Sequence, residues 1–147
     1  MFPLELQLSA LMRFLTDPAQ TPNLKVKVAT LRYLTQLAAM MDPGGLASVA
    51  SPSPGGGSDQ FTNALAKIIS WTQTELSMLG GKGGDIRKSA QQALITLFNL
   101  NTPLVTMKLA SLPKDYQVLT RKFCQRALNF FYFFFCFRFQ LLCFLLK

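Results

Sequence analysis

Apolar residues recur at spacings of three and four along most of the chain. Leu4, Leu8, Leu11 and Leu15 share one helical face and predict a helix over residues 4–15. Asp17-Pro18 ends it, because a proline ring cannot continue a helix. A second stripe of Leu24, Val28, Leu31, Leu34, Ala38 and Met41 predicts a helix over about residues 23–41. Thr21 stands as its N-cap, with Pro22 at the first helical position. Phe61, Leu65, Ile68, Thr72, Leu76 and Leu79 form a third stripe, over about residues 59–79, with Trp71 beside it. The run GGKGG at 80–84 stops that helix. Asp85 then reads as the cap of a fourth, lined by Ile86, Ala90, Ala93, Leu94 and Leu97. Thr102-Pro103 repeats the cap-then-proline signal before a short helix over residues 103–111. Leu112-Pro113 opens another, through about residue 128.

Between the second and third stripes lies DPGGLASVASPSPGGGS, residues 42–58. Gly, Pro and Ser dominate it, which predicts a mobile connector. No segment alternates with period two, and hairpin turns of the Asn-Gly or Asp-Gly kind are absent. The result is helix, short turn, helix, longer loop, repeated about three times with a period of about 40 residues. A single pair cannot bury its apolar face, so neighbours must stack. The expected fold is all-α: a HEAT-repeat α-solenoid of about three helix pairs, in preference to a closed bundle.

Composition narrows the chemistry. Half of the 147 residues are hydrophobic and 15% are charged, so an ordered core is expected and disorder is not. The net charge of +8 favours acidic partners: nucleic acid, anionic lipid or an acidic protein surface. There is no histidine, which removes the commonest general base and the imidazole metal ligand. The three cysteines, Cys124, Cys136 and Cys143, form no C-x-x-C pair. A disulfide framework and a zinc site are therefore not expected, and a reducing compartment is. GGKGG lacks the G-x-x-x-x-G-K-[ST] pattern of a phosphate loop, and Asp85 beside it would repel phosphate. Asp42 and Asp115 are isolated acids, with no paired carboxylate for acid–base work. The N-terminus has no charged region before its apolar stretch, carries Glu5 within it, and does not read as a signal peptide. The expectation is a noncatalytic protein without cofactor or metal. Nucleic acid is disfavoured, since basic and aromatic residues do not interleave and no repeat code appears.

Three stretches carry a family likeness. They are VKVATLRYLTQLAAMMDPG at 26–44, IISWTQTE at 68–75, and DIRKSAQQALITLFNLNTPLVTMKLASLPKDYQ at 85–117. The last joins an Asp-Ile-Arg-Lys helix start to an LNTP turn and an LPK step, and is the most specific. Together they resemble the C-terminal TOG domain of the CLASP (cytoplasmic linker-associated protein) family over about residues 23–128. The resemblance implies a flat paddle of about six HEAT repeats, of which this chain holds the back half. It implies a tubulin-contacting edge built from the turns inside each repeat, here at 17–23, 80–85 and 112–113. The basic residues at those turns are Lys25 and Lys27, Lys82 with Arg87 and Lys88, and Lys114. It also implies a cytoplasmic, microtubule- and spindle-associated regulator, or an adaptor for a CLASP-binding partner. The front repeats of such a domain, which supply an apolar contact at the first turn, have no counterpart here.

Plainer roles compete at several positions. Lys82, Arg87 and Lys88 also fit a solvated helix start, and Arg87 fits an ion pair with Asp85 or the preceding repeat. Trp71 fits core or inter-repeat packing better than a partner anchor. The methionines fit core filling. The character changes at residues 129–147, NFFYFFFCFRFQLLCFLLK, which hold eight of the chain's 13 Phe. A membrane anchor over residues 127–146, a helix covering the end of the array, and translated noncoding sequence all compete. As an anchor it would carry Arg138 near its centre at a cost of about 2.5–3.5 kcal/mol. Phe on every face disfavours the packing helix, and the abrupt change of composition favours the translated noncoding sequence.

Overall fold

The computed structural model describes residues 2–19, 23–51, 59–73 and 83–119. All secondary structure among them is helical: α1 (Leu4–Thr16), α2 (Leu24–Met40), α3 (Pro43–Ala50), α4 (Gln60–Thr72), α5 (Gly83–Leu100) and α6 (Thr102–Ala110). Residues 114–119 form a further helical stretch after Pro113. The remainder of the helix expected to residue 128, and the Phe-rich segment 129–147, lie outside the described residues.

The apolar stripes become the core. Leu8, Met12 and Leu15 of α1 are buried, as are Leu31, Leu34, Leu37 and Ala38 of α2. Phe61, Leu65, Ile68 and Ile69 of α4 meet Ile86, Ala90, Ala93, Leu94 and Leu97 of α5 in the same cluster. Truncating one such leucine or isoleucine to alanine costs about 2–5 kcal/mol, so these positions dominate stability. The hairpins α1–α2 and α4–α5 stack with like on like: α1 packs on α4, and α2 packs extensively on α5. α6 continues the stack against α5 and α4. This is the all-α, HEAT-type, TOG-like arrangement, in two layers of helices.

The connector expected over 42–58 is corrected in its first half. Asp42 caps a helix rather than opening a loop: its carboxylate accepts from Gly45 N, and Pro43 occupies the first turn. Leu46 and Ala50 are buried, and α3 packs against α1 and α4. Two consecutive glycines each disfavour a helix by about 1 kcal/mol, which composition registers. Burial of Leu46 offsets that, which composition does not register. Gly45 is itself buried, and a Cβ there would come within 3.1 Å of the Glu5 carboxylate. The absence of a side chain lets α3 settle onto α1. Residues 52–58 lie outside the described residues.

Three expected caps are not where the helices start. Asn23 caps α2 by accepting from Val26 N at 3.0 Å, while Thr21 and Pro22 fall outside the described residues. Asp85 lies within the first turn of α5 rather than at its cap, and there its charge complements the helix N-terminus. Asn101, not Thr102, caps α6 by accepting from Leu104 N at 3.3 Å. The described part of the third helix ends at Thr72, with Gln73 N–H closing onto Ser70 and Trp71 carbonyls. The expected continuation to Leu79, through Leu76, lies outside the described residues. Thr72, counted in an apolar stripe, is buried with its hydroxyl donating to Ile69 O.

Two polar contacts cross between repeats. Asn101 Nδ2 donates to the Pro43 carbonyl at 3.1 Å, tying the start of α6 to the start of α3. Asp59, the α4 cap, accepts from Thr62 and forms an ion pair with Lys108 of α6. Burial works to raise the Asp59 carboxyl pKa. The hydrogen bonds from Lys108 and Thr62 outweigh it and hold the group below its ordinary value.

Asn101→Ala removes both a cap and the bridge, and we expect a loss of about 1–2 kcal/mol in urea or thermal unfolding. Asn101→Asp keeps the cap acceptor but has no donor for Pro43 O, and its loss should be smaller. Asp59 makes a second prediction. A depressed folded pKa means its stabilisation is present above the unfolded value and is lost as pH falls through the folded one. Asp59→Asn should therefore be less stable than the parent near neutral pH, by about 1 kcal/mol or less. The gap should close as the pH is lowered below about 4, which acid titration of unfolding midpoints measures.

Candidate protein-binding edge

The described helix ends that flank the two intra-repeat turns come together in space. α1 runs into α2 near residue 23, and α4 runs toward α5 from residue 72. Because α2 packs on α5 and α1 on α4, the first turns of α2 and α5 and the last turn of α4 share one edge. Lys27 Nζ lies over the Trp71 ring, 5.5 Å from its centroid. Arg87 Nε donates to the Thr72 carbonyl at 3.2 Å.

Both contacts have a local cause. The last carbonyls of α4 lack intrahelical donors and carry the negative end of the helix dipole, so a guanidinium is favoured there. Arg87 reaches them from one turn into α5. This differs from the expected ion pair with Asp85 or the preceding repeat: its partner is the backbone of the helix in its own repeat. Trp71 is 7% exposed and belongs to the core, so it is no free partner anchor. It does present part of its ring to Lys27, where a cation is attracted by about 0.5–1 kcal/mol at an exposed site. Lys27 on α2 thus rests on a residue of α4, and Arg87 on α5 rests on the same turn.

The remaining basic residues differ in how they are held. Lys25 and Lys88 are exposed, whereas Lys27 and Arg87 are half-buried. Lys114 is exposed at the start of the helical stretch that follows the 112–113 step after α6. Lys82 lies outside the described residues. The structure therefore brings Lys27 and Arg87 to the last turn of α4, places Lys25 in the first turn of α2 and Lys88 just past the first turn of α5, and leaves Lys114 apart, at the start of the helical stretch after α6.

Charge is divided between the two layers. α2 and α5 carry Lys25, Lys27, Arg32, Arg87 and Lys88 against Asp85 alone. Helices α1, α3, α4 and α6 with their caps carry Glu5, Asp17, Asp42 and Asp59 against Arg13, Lys67 and Lys108. Positive potential is thus gathered on the second helices. Sequence reading missed Arg32, Gln36 and Gln92, which with Lys88 line an open groove between α2 and α5. The signal was available: Arg32 and Gln36, like Lys88 and Gln92, are polar pairs four residues apart on faces opposite the apolar stripes. Among the described residues no group of three or more His, Cys, Asp or Glu could hold a metal ion. Among them, too, no helix is long and apolar enough to cross a membrane.

No protein-family model matches the chain. CLIP-associating protein 1 of Xenopus tropicalis is 45% identical over 116 residues, which are 79% of this chain and 7% of that protein. CLIP-associating protein 1-A of Xenopus laevis is likewise 45% identical over 116 residues, with the same coverage of both chains. CLIP-associating protein of Drosophila melanogaster is 36% identical over 116 residues, again 7% of its length. The chain spans a small part of these relatives, and over that part it belongs to the CLIP-associating protein family.

Proposed function

We propose that this chain is a noncatalytic TOG-like module of a microtubule-associated regulator, and that it binds tubulin through the edge formed by the α1–α2 and α4–α5 turns. The observation that carries the reading is the anchoring of Lys27 on Trp71 and of Arg87 on Thr72. Side chains held by the fold lose less entropy when they meet a partner than free ones do. With exposed Lys25 and Lys88 beside them, they give an acidic surface several cations at fixed spacing. Each exposed pair contributes only ~0–1 kcal/mol, so the turns act together and a short array binds weakly. Lys114, and Lys82 outside the described residues, extend the same series of turns. The module then works at the cytoskeleton, in the cytoplasm.

A second reading shares the edge: an adaptor surface for another protein. The relatives' name, which speaks of association with a CLIP, supports it.

The test is co-elution with tubulin on size exclusion, using the full chain. Lys25→Glu with Lys27→Glu leaves Arg87, and hence the end of α4, intact. We expect these reversals to weaken tubulin binding roughly tenfold or more, with a strong dependence on ionic strength. Binding that survives the reversals unchanged rules out the edge. Binding absent from the parent as well directs attention to the adaptor reading.

A further inference from the structure

We infer that the groove between α2 and α5 is a second binding surface, which takes an extended, carboxylate-bearing segment of another protein. It shares Lys88 with the turn edge but extends past it along α2 and α5, and it does not depend on the tubulin reading. The groove is open, with a volume of about 390 Å³. Arg32 and Gln36 rise on the α2 side, and Lys88 and Gln92 on the α5 side. All four are exposed, while Thr35 and Ser89 between them are half-buried.

The donor set selects the ligand. A guanidinium takes a carboxylate through two parallel hydrogen bonds, and the Lys88 ammonium takes a second as a point charge. Gln36 and Gln92 each offer a donor and an acceptor, which suits the alternating N–H and C=O of a peptide backbone. From Asp85 to Gln92 the α5 wall is roughly 10 Å long at about 1.5 Å per residue, room for about three residues of extended chain. Asp85 closes one end of the lining with a negative charge. A continuous phosphate backbone meets repulsion there. A peptide with carboxylates at intervals can place an uncharged residue against it.

The occupant is not supplied by this chain. Its seven Asp and Glu residues are widely scattered, at 5, 17, 42, 59, 75, 85 and 115, so no segment presents two carboxylates within one groove length. The inferred ligand is a locally acidic segment of a partner protein, drawn in by the excess of cations on α2 and α5.

Fluorescence anisotropy of the full chain tests this, with a labelled peptide of alternating Gly and Glu and its Gly–Gln counterpart. At about 50 mM salt the Glu peptide should bind at least tenfold more tightly. Arg32→Glu with Gln92→Glu should remove roughly tenfold or more of that affinity, with an unchanged circular dichroism spectrum. Lys25→Glu with Lys27→Glu should change it by no more than about twofold, a loss that steering alone explains. Equal binding of the Glu and Gln peptides overturns the proposal. So does a groove variant that binds like the parent, or peptide affinity lost only in the edge variant. Tighter binding of a single-stranded oligonucleotide, also sensitive to the groove reversals, would overturn it in favour of nucleic acid. Tubulin binding retained by the groove variant separates this surface from the edge whatever the outcome there.

Discussion

Each helical hairpin in this chain has an apolar stripe wider than its own partner can cover. Leu8, Met12 and Leu15 of α1 and Phe61, Leu65 and Ile68 of α4 are all buried in one shared core. Stacking α1 on α4 and α2 on α5 resolves both deficits at once. The geometry of the proposed edge and groove follows from that registration. It brings Lys27 of one repeat onto Trp71 of the next. It sets α2 beside α5 so that a polar groove opens along their outer faces. The edge and the groove are consequences of how the core is shared, so a change at Ile68 or Leu34 would disturb both without touching either.

The helices with regular stripes were legible because period and burial agree. Leu31, Leu34 and Ala38 were expected to face inward and do. What failed to read was local competition. In residues 42–58 the glycines, prolines and serines were read as a connector throughout, although Asp42-Pro43 is the cap-and-proline start of α3. Caps shifted for a related reason. Asn, Thr and Asp all accept from a free backbone N–H, and adjacent ones compete until tertiary contacts choose. Asn101 prevails over Thr102 as cap while its amide also donates to Pro43 O, a partner 58 residues away that no local rule contains. For the site, the sequence showed which residues were basic at the turns. It could not show that Arg87 is turned onto Thr72 O, or that the charge excess falls on one layer.

That bridge also explains what the most specific motifs are for. The LNTP turn supplies Asn101, and the Asp-Pro-Gly step supplies the Pro43 carbonyl that it holds. Two of the stretches that carry the family likeness thus touch each other through this bond. Arg87, from the Asp-Ile-Arg-Lys start, likewise spends a hydrogen bond on closing α4. Motifs of this kind report the fold. The identity shared with the CLIP-associating proteins over 116 residues is therefore strong ground for architecture, and binding has to be argued separately from exposed charge.

The physical balance at the edge shows why such binding would be distributed. Lys27 and Arg87 are held by their own protein, so each has already lost part of its rotamer freedom, and each already has part of its charge engaged. Lys25 and Lys88 keep their full charge but must be ordered by the partner. Neither kind gives a dominant contact. Affinity then rises with the number of turns engaged at once, much as linked sites gain from effective concentration. A stack of few repeats is suited to brief, salt-sensitive encounters.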